Sequence, residues 1–117
     1  MPYKNNFSYG SAYYGENILG DLTKQIIDFK PDKIFVSHPA DVNVDHKSLY
    51  LFLQVALSDL EGQISRPEVY PYLVHCAGWP KPRHYHPGLA LYPPDKFIDS
   101  GLHWFRSSLS REELYKK

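Results

Sequence analysis

The sequence predicts an α/β domain with some parallel strand pairing, and three observations carry that expectation. Helix-period and β-type segments alternate in the order helix, strand, helix, strand. Prolines and glycines, chiefly Pro31, Pro39 and Gly62, punctuate these segments where an element must stop. A polar cluster, SHPADVNVDHKSLY from Ser37 to Tyr50, begins where the first strand ends, at the position where open α/β sheets place ligands.

Each element follows from the local pattern. Met1 to Gly15 is rich in Tyr, Gly, Asn and Ser without periodicity, so it reads as an N-terminal loop or extended arm. Between Glu16 and Phe29 the apolar residues Ile18, Leu22, Ile26 and Phe29 recur at i, i+4, i+8 and i+11, the stripe of an amphipathic helix that Pro31 terminates. Lys33 to Ser37 (KIFVS) is a short β-branched and aromatic run bounded by prolines, which predicts a buried strand. A second helix spans Asp45 to Leu60, with Leu49, Phe52, Leu53, Ala56, Leu57 and Leu60 on one face and Gly62 placed to end it. Val69 to Cys76 (VYPYLVHC) predicts a second strand, at an edge or with a bulge because of Pro71. Gly78 to Pro94 holds five of the ten prolines and predicts a long ordered loop. Gly101 to Leu109 reads as a further strand, and Ser110 with Glu113 forms the S-x-x-E capping box that opens a helix at SREELYKK.

Composition narrows the class of function. A chain of 117 residues fits one domain over 1–117, large enough for a single core. Lys+Arg 13 balance Asp+Glu 13, so no net field recruits nucleic acid or anionic lipid, and a small-molecule partner is expected. The single cysteine, Cys76, excludes an internal disulfide framework and suits a reducing, cytoplasmic location. No stretch approaches the roughly 18 apolar residues of a membrane span, and MPYKNNFSYG has no apolar signal-like core. Most of the ten Tyr, six Phe and two Trp are accounted for by packing.

The chemistry concentrates in Ser37 to His46. Asp45 and His46 fall in the first turn of the second helix, where a side chain can point back over the strand end. Neutral imidazole is a common zinc ligand and a neighbouring carboxylate fixes its tautomer, so His46 is the metal candidate, with Asp41 and Asn43 supplying hydrogen bonds. The same residues also suit a plain helix cap at Asn43 or Asp45, with His38 a polar residue closing the strand.

SHPADVNVDHKSLYLFL resembles the second conserved block of the PIG-L/LmbE family of zinc-dependent N-deacetylases, HP-x-D-x-(H/N)-x-DH followed by a helix. FKPDKIFVS, YLVHCAGWPKPR and FRSSLSREELYKK resemble the family's strand approach, its Y-L-V-H…W-P segment and the entry to its C-terminal helix, so the likeness extends over about residues 16 to 117. The resemblance implies a partial Rossmann-like three-layer fold with a mostly parallel sheet, lacking the family's first strands, and amide hydrolysis of N-acetyl amino-sugar conjugates of the N-acetylglucosamine type with zinc as cofactor. It implies His46 as a zinc ligand, Asp45 as the aspartate orienting a polar neighbour, and Asn43 where many members carry a carbonyl-polarising histidine; Asp41, the hydrogen-bonding acid of the same loop, is taken with Asn43 and Asp45 as the candidate catalytic set. Asparagine can donate a hydrogen bond to an oxyanion but relays no proton.

The sequence also departs from that family. The HPDDE-like motif that supplies two zinc ligands and the general base does not occur in this sequence; HPAD at His38 to Asp41 belongs to the second block. One imidazole alone binds zinc weakly, so little or no deacetylase activity is expected of the isolated chain, an incomplete fragment on this reading. His38, His75, Trp79 and His86 are candidates for the substrate pocket, and His84 with His86 forms H-x-H in the proline-rich loop. Two readings from other classes stay open. One is a non-catalytic binding or assembly module from a truncated deacetylase, forming homo-oligomers through an exposed sheet edge. The other is a flavodoxin-like fragment without metal.

Overall fold

The computed structural model describes Lys4 and residues 7–116. Positions 1–3, 5 and 6 of the expected N-terminal arm and Lys117 lie outside the described residues. The chain divides into two compact units, Met1–Val74 and His75–Lys117.

The first unit contains α1 (Gly15–Phe29), β1 (Lys33–Ser37), α2 (Val44–Asp59) and β2 (Glu68–Tyr72). The expected α/β class is present as a mixed fold whose two strands pair in parallel, from Lys33 opposite Glu68 to Ser37 opposite Tyr72. Parallel neighbours require a crossover, and α2 supplies it. Ile26, Val36, Leu53, Ala56, Leu57 and Leu60 form the core, with Leu19, Leu22, Ile34, Tyr50, Ile64 and Val69 packed against it. Burying side chains of this kind stabilises the fold by about 1.5–3 kcal/mol each for the larger ones.

The observed faces refine the sequence stripes. On α1 the packed residues are Leu19, Leu22 and Ile26, while Phe29 is 74 % exposed because it falls at the margin of that stripe. Lys30 caps α1 in the left-handed region (φ 50°, ψ 58°), donating its N–H to the Ile26 carbonyl before Pro31 stops the chain. The N-terminal arm forms turns at residues 7–10. It is tied to α1 by the Ser8 N–H and hydroxyl, both donating to Asp21 Oδ1 at 2.9 and 2.7 Å.

Three expectations about strands are corrected. β1, expected to be buried, is buried only at Val36 and Ser37, while Lys33 and Phe35 are exposed on the face away from the core. β2 ends at Tyr72 instead of reaching Cys76. The chain after β1 turns away at His38–Asp41, and the Val74 N–H donates to the Asp41 carboxylate in place of a strand neighbour. Gly101–Leu109 forms no strand, because no described segment pairs with it and a strand is stable only through its ladder.

In the second unit a short 3₁₀ turn spans Asp95–Phe97 and a single helical turn, α3, spans Arg111–Tyr115. The expected capping box is present: the Ser110 hydroxyl accepts from the Glu113 N–H, and the Glu113 carboxylate accepts from the Ser110 N–H. The Ser110 N–H, followed by the Ser110 hydroxyl donating to the same carboxylate oxygen at 2.8 Å, holds the Glu113 carboxyl below its ordinary value. The proline-rich 78–94 segment is irregular, as expected, and is pinned where Trp79 Nε1 donates to the Tyr92 carbonyl at 2.8 Å. No helix among the described residues is long and apolar enough to cross a membrane.

Candidate metal centre

The loop from β1 to α2 is built by short-range hydrogen bonds that its sequence dictates. The His38 N–H extends the pairing to the Tyr72 carbonyl at 2.8 Å, and the Asp41 N–H then closes a turn over Pro39 and Ala40 onto the His38 carbonyl at 2.9 Å. Asp41 Oδ1 accepts the Asn43 N–H at 2.9 Å, an Asx turn. Asn43 in turn caps α2, its Oδ1 accepting the N–H of Asp45 at 2.9 Å and of His46 at 3.4 Å. The cap fixes where the helix starts and therefore where His46 projects.

Asp41 is fully buried, with 0 % exposure. A carboxylate withdrawn from water needs donors, and this one has them. Oδ2 accepts the Val74 N–H at 3.1 Å and stands 3.1 Å from His46 Nδ1. That nitrogen is sealed from solvent, while the His46 side chain as a whole keeps 26 % exposure, so its open part lies away from Asp41. A proton on Nδ1 would face the carboxylate at this distance. A histidine backed by a carboxylate is the arrangement that orients and strengthens metal-ligating histidines.

The remaining sequence candidates are placed as follows. The structure brings Asp41, Asn43 and His46 together; Asp45 is exposed on the first turn of α2. His38 is half-buried and its Nδ1 accepts the Ala40 N–H at 3.0 Å, so that nitrogen serves the loop. His75, Trp79, His84 and His86 belong to the second unit. There Trp79 lines a cleft of about 500 Å³ with Tyr92, Lys81 and Asp95. His84 adopts a left-handed φ of 74°, and His86 Nε2 lies 3.0 Å from the Arg83 carbonyl. Sequence reasoning did not find the Val74 N–H, which lies 33 positions from Asp41 and carries no side-chain signal.

The fit to zinc is therefore partial. His46 has the chemistry of one ligand with its supporting acid, but among the described residues no group of three His, Cys, Asp or Glu converges to hold a metal. Both Asp41 oxygens are already engaged, which suits that side chain to orienting His46 instead of binding the ion itself. The chain matches no family model, no curated protein and no solved structure.

Proposed function

We propose that this chain carries one part of a zinc-dependent N-deacetylase site of the PIG-L/LmbE type, within a partial Rossmann-like three-layer arrangement. The observation that supports the reading most is the Asp41–His46 pair at the C-terminal end of a parallel strand, 3.1 Å apart and anchored by a capped helix. Its substrate class is an N-acetyl amino-sugar conjugate, and the remaining zinc ligands and general base come from outside the described residues. Zinc bound in such a site supplies Lewis acidity and a water acidified to a pKa of about 7. In this reading Asp41 orients the imidazole, His46 is the zinc ligand, and Asn43 is committed to capping through Oδ1, which leaves its amide nitrogen as the group for a developing oxyanion. His38, in the same unit as the Asp41–His46 pair, is the candidate for substrate contact.

Acetate release from N-acetylglucosamine conjugates tests the proposal. With zinc the isolated chain is expected to release little or none. Supplied in trans with a segment bearing an HPDDE-like motif, it is expected to gain activity that His46→Ala abolishes. Activity unaffected by His46→Ala, or none with such a segment, contradicts the reading. The second reading, a non-catalytic binding or assembly module, is supported by the lack of an HPDDE-like motif in this sequence.

A further inference from the structure

Parallel strands are almost always covered on both faces. In this sheet one face is covered, with Ile34, Val36 and Val69 in or against the core. The register places Lys33 and Phe35 of β1 beside Glu68, Tyr70 and Tyr72 of β2 on the opposite face. That face is open at Phe35, 70 % exposed, and at Tyr72, 48 % exposed, and it closes at Ser37, which is buried at the end of β1. Phe35 and Tyr70 stack with centroids 5.4 Å apart, which joins the two strands into one aromatic plate. At its rim Lys33 and Glu68 are register partners, one charge of each sign, and the Tyr70 hydroxyl donates to the Glu68 carboxylate.

We infer that this plate seats a second copy of the same chain. The face is complementary to itself. A two-fold axis running along the strands, between two facing sheets, lays β1 of one copy over β2 of the other. Lys33 then meets the partner's Glu68 and Phe35 meets the partner's Tyr70, and each match occurs twice, as an isologous contact requires. The chain has a formal net charge of zero, so long-range repulsion does not oppose association. Only a few side chains per copy contribute, less than the roughly 800 Å² per partner of stable complexes, so the dimer is weak and reversible. The inference stands independently of the zinc reading.

Sedimentation velocity on the full chain, from about 5 µM to about 1 mM, reads the association directly. The sedimentation coefficient is expected to rise with concentration. Phe35→Glu is expected to abolish the rise, and because Phe35 is exposed the far-UV circular dichroism stays that of the wild type. Lys33→Glu and Glu68→Lys, each alone, weaken association by about tenfold or more. Mixed in equal amounts, these two variants are expected to recover it, since the substituted position 33 of one chain faces the substituted position 68 of the other. Within each single variant the like charges remain side by side, so recovery arises only between chains. A chain that stays monomeric throughout the range, or variants that do not recover on mixing, overturns the inference.

Discussion

Replacing Asp41 by asparagine removes a charge and one acceptor while keeping the shape of the side chain. In the native loop Oδ1 accepts the Asn43 N–H at 2.9 Å, and Oδ2 accepts the Val74 N–H at 3.1 Å and faces His46 Nδ1 at 3.1 Å. Whichever oxygen becomes the amide nitrogen, at least one backbone donor then meets another donor at a site with 0 % exposure. An orphaned buried donor costs about 1–3 kcal/mol, and the surviving bond loses its charge assistance, so Asp41→Asn destabilises by about 2–4 kcal/mol. That is a large fraction of the roughly 5–15 kcal/mol that holds a typical domain. Urea unfolding followed by far-UV circular dichroism measures it, with an unchanged slope confirming that the same surface unfolds. Nitrogen NMR of the variant should also show the His46 ring losing its preference for the proton on Nδ1. Stability within about 0.5 kcal/mol of the wild type, with His46 unchanged, would refute the assignment of Asp41 as the anchor of this loop.

Other perturbations separate the parts of the structure. Asn43→Ala removes the α2 cap and is expected to lower stability by about 1 kcal/mol, whereas Asn43→Asp retains most of it; chemical denaturation distinguishes the two. Glu113 has its carboxyl lowered from an ordinary value of 4.5 by the Ser110 N–H and hydroxyl, so its ionised form favours the folded cap. That contribution is present at neutral pH and lost as pH falls below 4.5 through the depressed value. Carbon NMR of the Glu113 side chain should give a midpoint below 4.5 that Ser110→Ala moves upward; a midpoint at or above 4.5 in the native chain contradicts the capping box.

The elements with strong local causes were legible in the sequence. The two long helices, β1 and the α3 cap follow from periodicity, from Pro31, and from the S-x-x-E pattern, and all appear within a residue or two of their expected bounds. The roles within Asn43–His46 were not legible, because the loop's hydrogen bonds settle them: Asn43 caps α2, and His46 turns its Nδ1 to Asp41. Asp45, the nearer acid in sequence, is exposed, whereas Asp41 reaches His46 because the turn over Pro39 and Ala40 folds it inward. The early end of β2 depends on a bond from Val74 to Asp41, which periodicity cannot report. Phe29 shows the converse error, a residue in phase with a helix stripe but at its margin, and left in solvent.

His46 Nδ1 stands 3.1 Å from Asp41 Oδ2, and the proposed zinc site takes the same ring as a ligand through Nε2. Long-range nitrogen–proton NMR of His46 during titration with zinc alone measures both properties at once. The expected result is a ring protonated on Nδ1 before zinc is added, with the metal perturbing Nε2 and leaving the Nδ1 proton in place. A ring protonated on Nε2, or zinc that shifts other histidines and leaves His46 untouched, contradicts it.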